Sequence, residues 1–83
     1  VRVGGTLELL IPFIPAPSHL WRLEGADSVL AVEGDRFEHS PVVQHRFRLR
    51  ALAVGEIEVR AVYIMPWGGT PREVRTYTVI VDA

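Results

Sequence analysis

Cysteine is absent from these 83 residues, which removes disulfides and thiolate sites from consideration and leaves the redox compartment open. An excess of charge is missing too: nine basic residues, all of them arginine, stand against ten acidic ones, for a formal charge of -1. That balance leaves no electrostatic footprint for nucleic acid or an anionic membrane surface. No apolar run approaches the ~20 residues that span a bilayer, so membrane insertion is not expected, and no charged-then-apolar leader opens the chain. Val1 is not an initiator methionine, so we expect a processed form or an excised piece, secreted or periplasmic, with which any targeting segment would have been lost. No segment combines a 3.6-residue apolar period with caps, so helix should be nearly absent.

Catalytic and metal frames are missing as well. His19, His39 and His45 are scattered without helical i, i+4 spacing, and read as exposed or capping side chains. Glu33, Asp35 and Glu38 cluster around an expected turn but lack a calcium-loop pattern. Ser18, Ser28 and Ser40 have no Gly-x-Ser-x-Gly frame. We therefore expect no enzyme, no catalytic or metal-binding residue and no cofactor.

What is present is a globular composition, 48% apolar, on a chain long enough for one domain with a small core. Thr6 to Ile11 reads as a strand with Leu7, Leu9 and Ile11 on one face. Three prolines between Pro12 and Pro17 make a stiff loop. Leu20 to Leu23 is a strand, Gly25-Ala26-Asp27-Ser28 a turn, Val29 to Val32 a short strand and Glu33-Gly34-Asp35 another turn. Arg36 to Ser40 is either an edge strand or a crossover. From Gln44 to Leu52, Arg46, Arg48 and Arg50 alternate with Phe47, Leu49 and Ala51, the pattern of a strand with one wet face. Ala53-Val54-Gly55 turns the chain into a strand from Glu56 to Met65. A hairpin of these two would set the arginines opposite Glu56 and Glu58. Val74 to Val81 closes the chain. The expected core is Leu7, Leu9, Trp21, Leu23, Phe47, Leu49, Ile57, Val59, Tyr77 and Val79. Six or seven short strands with regular turns argue for an all-β sandwich over residues 1–83.

The stretch Tyr63-Ile64-Met65-Pro66-Trp67-Gly68-Gly69 stands out. Pro66 has no N–H for a sheet ladder, so pairing should stop there, and Trp67 would sit on a hairpin tip of five to seven residues. An indole there is either folded back on the core or displayed as a rigid anchor for a partner.

These loops, in this order, resemble the chagasin-like inhibitors of papain-type cysteine peptidases. In that family an Asn-Pro-Thr-Thr-Gly-Tyr-x-Trp loop, a mid-chain glycine-rich loop and a Tyr-x-Arg-Pro-Trp loop alternate with the strands of an immunoglobulin-like sandwich. Val3-Gly4-Gly5-Thr6-Leu7 is similar to the family's opening. Pro15 and Trp21 of Ile14-Pro15-Ala16-Pro17-Ser18-His19-Leu20-Trp21 match the first loop, and Phe47, Leu49, Ala51 and Gly55 fall where the family's Phe-x-Phe-x-Ala-x-x-x-Gly would. Tyr63-Ile64-Met65-Pro66-Trp67 is similar to the third motif. Ile14 replaces asparagine, Ala16 and Pro17 both threonines, Ser18 glycine and Met65 arginine. Ser40-Pro41-Val42-Val43 lacks the mid-chain glycine.

The resemblance implies an immunoglobulin-like antiparallel β-sandwich of about seven short strands, a monomer in isolation, binding as a three-loop wedge. Its partner would be a papain-like cysteine peptidase, contacted by Pro15, Ala16, Pro17 and Ser18 in one loop and by Met65, Pro66, Trp67 and Gly68 in another. Two readings stay open beside inhibition: a structural or adhesive immunoglobulin-like module of a larger surface protein, and a sandwich binding a small ligand or sugar through Trp67 and Tyr63.

Overall fold

The sharpest alternation in the chain, arginine against Phe47, Leu49 and Ala51, forms a strand whose three apolar side chains are buried. A computed structural model describes residues 1–26 and 28–83. In it this strand, β4 (Gln44–Ala51), is the centre of an antiparallel sheet flanked by β1 (Thr6–Pro12) and β3 (Leu30–Glu38). A second antiparallel sheet has β5 (Gly55–Met65) between β2 (Leu20–Glu24) and β6 (Gly68–Val81). The inward faces meet in one core, with Ile11, Leu30, Leu49, Val59 and Val81 almost wholly buried. The result is an immunoglobulin-like sandwich with six strands where about seven were expected, and no helix among the described residues.

The strand count drops because the expected turn at Glu33-Gly34-Asp35 is a bulge. The register slips between Val32 and Gly34 and then continues to Glu38 along β4. A glycine inside a strand is compatible with either outcome; here pairing with the central strand carries the chain through. The undecided segment from Arg36 is thus the second half of the same edge strand. Of the expected turn over 25–28, Asp27 lies outside the described residues. Gly25 begins it in the left-handed region at φ +92°, where a Cβ would stand 2.6 Å from the Glu58 carbonyl oxygen.

The expected hairpin between the arginine strand and its successor is corrected. β4 and β5 belong to different sheets, so the link after Ala51 crosses the sandwich instead of folding back. Both strands bury an apolar face, and placing them on opposite layers lets those faces meet. The arginines consequently pair with Glu8, Glu33 and Glu38 of β1 and β3, while Glu56 and Glu58 stand opposite Ile80 and Thr78. Leu9, Trp21, Phe47, Leu49, Val59 and Val79 of the expected core are buried; Leu7, Leu23, Ile57 and Tyr77 are only partly so, packed at its margin.

Candidate functional site

Strand register puts three loops at one end of the sandwich. Pro12 pairs with Gln44 where β1 meets β4, so the loops over 13–19 and 39–43 leave the first sheet together. Leu20 pairs with Ile64, and Met65 with Gly68, which brings the β5–β6 tip to the same end from the second sheet. The Phe13 N–H donates to the Val43 carbonyl at 3.2 Å, tying the first loop to the mid-chain one.

The first loop is pinned from beneath. Tyr63, reaching inward from β5, accepts from the Ala16 N–H at 2.9 Å and donates to its carbonyl at 3.4 Å. The His19 N–H closes a turn on the same carbonyl at 3.3 Å, and its Nδ1 donates to the Pro17 carbonyl at 2.8 Å. Under these bonds lies an aromatic platform. Tyr63 stacks on Trp21 at 5.0 Å, Phe13 meets both rings and the edge of Phe37, and His19 lies 5.3 Å from Tyr63. The Arg75 guanidinium covers Trp21 at 5.2 Å from the ring centroid, an interaction worth about 0.5–2 kcal/mol.

Of the residues expected to bind in this loop, Pro15, Pro17 and Ser18 are exposed and Ala16, held by Tyr63, is half-buried. Ser18 sits at φ 60°, in the left-handed region that favours glycine. Ile14, between Phe13 and Pro15, is 88% exposed. The proline after it disfavours the helical region for Ile14 and so limits its backbone to extended conformations.

The tip of the β5–β6 hairpin is shorter than the five to seven residues expected. Met65 and Gly68 still pair, which leaves a two-residue turn of Pro66 and Trp67. Pro66 suits the first turn position, and Gly68 and Gly69 follow at φ +93° and +96°, conformations that let the ladder resume directly. The turn residues Gly69 to Pro71 are absorbed into an irregular start of β6, opposite Ile64. Trp67 is 75% exposed, so the indole is displayed and not folded back. Met65 and Gly68 are half-buried at the base and Pro66 is exposed. The two groups of expected binding residues thus share one end of the molecule.

Sequence reasoning passed over Phe13, inside a segment read only as proline-rich loop, and the anchoring hydroxyl of Tyr63, whose bond partner lies 47 residues away. Tyr63 did carry a signal: it continues the inward series Val59, Ala61. Ile14 was visible as a substitution but not as a contact.

The polar clusters weighed in the sequence are committed elsewhere. Glu33 binds Arg48 and Arg50, Glu38 binds Arg36 and Arg46, and Asp35 meets His45 Nε2 at 2.5 Å. His45 is therefore a half-buried partner of a carboxylate, stacked 4.4 Å from Phe47. Among the described residues no three metal-ligating side chains come together. The loop end therefore offers apolar surface held in a fixed shape.

No family model matches the sequence, and no curated protein matches it. Among solved structures, the fold is similar to that of the cysteine protease inhibitor EhICP2 from Entamoeba histolytica. The alignment reaches a TM-score of 0.83 and covers 99% of this chain and 82% of that one, at 20% sequence identity. At that identity the likeness is one of fold.

Proposed function

We propose that this domain is a non-enzymatic inhibitor of papain-like cysteine peptidases, acting as a monomeric wedge whose loop end fills the enzyme's cleft. The observation that carries the reading is the exposure of Trp67 and Ile14, at 75% and 88%, on two stiffened loops at the same end of the sandwich. A fold shared with a cysteine protease inhibitor supports it. Pro15, Pro17 and Pro66 restrict the backbone beforehand, and Tyr63 clamps Ala16, so docking orders little that is not already ordered. Fully burying side chains of this kind supplies about 1.5–3 kcal/mol each, and tryptophan is over-represented among residues that dominate interfaces.

The chemistry of the loops also sets the kind of inhibition. Ala16 and Pro17 have no hydroxyl and Met65 no charge, so the contacts are chiefly apolar, and we expect weak or narrowly selective inhibition across the peptidase class.

Titration against papain and several related peptidases tests the proposal. Stoichiometric, substrate-competitive inhibition of at least one of them is expected, with Trp67→Ala weakening the complex by about 2 kcal/mol or more and moving the melting midpoint by only a few degrees. Failure to inhibit any of them, with Trp67→Ala strongly destabilising the isolated domain, would point instead to a structural module.

A further inference from the structure

Among the described residues every arginine except Arg2 and Arg72 stands in an ion pair with a carboxylate of its own chain. Arg2 lies at the far end of the sandwich, where it bridges to Asp82 through its backbone. Arg72 lies at the loop end, on the return strand of the Trp67 hairpin, and lines an open groove of about 640 Å³. The facing wall is apolar: Phe13, Ile14 and Val42, with Tyr63 also lining the groove. Glu73 is the single carboxylate among the lining residues, and Arg75 holds it at 2.8 Å. Arg75 is itself laid over the Trp21 ring. The groove thus sets an unshared guanidinium opposite a row of apolar side chains.

Resting on the reading above, we propose that this groove is a second contact with the peptidase, taking an apolar side chain and an adjacent carboxylate from the rim of the enzyme's cleft. Arg72 clasps the carboxylate, and Phe13, Ile14 and Val42 receive the apolar group. The charge pattern favours this occupant. A guanidinium is weakly hydrated and presents a planar fork that matches a carboxylate, and apolar walls reduce the water that would screen the pair. Two guanidiniums against one carboxylate leave the groove with a positive surplus, whereas the domain as a whole is slightly negative. The domain therefore distinguishes peptidases by the acidity of the cleft rim, a selection that Trp67 and Ile14 cannot make by burial. Because the groove lies beside the wedge, Arg72 acts partly as a rim charge that speeds encounter and makes it salt-dependent.

Inhibition constants and association rates of the whole domain test this against papain-like peptidases with acidic and with neutral cleft rims, at low and high salt. For acidic-rim enzymes Arg72→Ala should weaken inhibition by at least about tenfold, Arg72→Glu by more, and both should flatten the salt dependence. Arg72→Lys should keep the salt dependence while losing part of the affinity, which separates a charge contact from a folding defect. Arg2→Ala, the same loss of charge at the other end, should change nothing, and neutral-rim enzymes should respond to none of these variants. Wild-type inhibition that Arg72→Ala and Arg72→Glu leave unaltered at both salt concentrations overturns the groove contact and leaves the wedge standing. A wild-type domain that inhibits none of the enzymes overturns the wedge, and the groove contact with it.

Discussion

Phe47 and Arg48 are neighbours in the chain with opposite surroundings, and they measure how well the inside and outside of the sandwich are assigned. Phe47 is 5% exposed in the core, while Arg48 is in the open, 3.7 Å from Glu33. Phe47→Ala should therefore cost about 3–5 kcal/mol and Arg48→Ala under about 0.5, read from denaturant unfolding midpoints. Equal costs would mean the faces are reversed. Alternation made these two residues legible in the sequence, because a period of two has only two phases. Trp67 was not legible in that way. A tryptophan after a proline can turn back or stand out, and the choice is made by a two-residue turn whose closure needs Gly68 and Gly69 in left-handed conformations. Tyr63 shows the complementary limit: the ring was readable as inward, but the bond from its hydroxyl to Ala16 depends on the path of a loop distant in sequence.

At the scale of elements, β4 and its two neighbours form a charge ladder that alternation foretold only in half. The arginine row is plain in the sequence, but the acids opposite it are not, because the short link after Ala51 reads equally well as a hairpin or as a crossing between sheets. Arg46 is the centre of the real ladder, bound to Glu8 and, at 3.1 Å, to Glu38. Hydrogen bonds from Arg46 and then Gln44 hold the Glu38 carboxyl below its ordinary value near 4.5, with partial burial opposing them. A carboxylate with a lowered folded pKa contributes stability above its unfolded value and loses it as pH falls through the lowered one. The melting midpoint should therefore fall as pH drops below 4.5, and Glu38→Gln should flatten that part of the curve. Identical acid limbs for the two proteins would remove Glu38 from the ladder's energetics. The same strand pair explains the bulge: Gly34 interrupts the pattern of β3, yet β3 pairs with β4 on both sides of it.

The whole molecule was legible as a class and not as a wiring. Short alternating strands and frequent turns imply two apolar faces that must cover each other, which is a sandwich. Nothing local says that the ends of β1, β3 and β5 fall together, since that follows from register across both sheets. The convergence of the loops was therefore available only through resemblance to a family, and the groove beside Arg72 not at all, because its walls come from four separate stretches of chain. On the proposed function, this end of the molecule works by burying Trp67 in a peptidase cleft. Fluorine NMR of the domain carrying 5-fluorotryptophan at both indoles addresses it directly, since Trp21 is buried and supplies an internal control. In the free domain the Trp67 resonance should respond to exchange of H2O for D2O and the Trp21 resonance should not. On adding an inhibited papain-like peptidase, the Trp67 signal should shift and lose its solvent response while Trp21 keeps its own position. A Trp67 signal that is already shielded in the free domain, or that remains solvent-exposed in the complex, would rule out Trp67 as the anchor of the wedge.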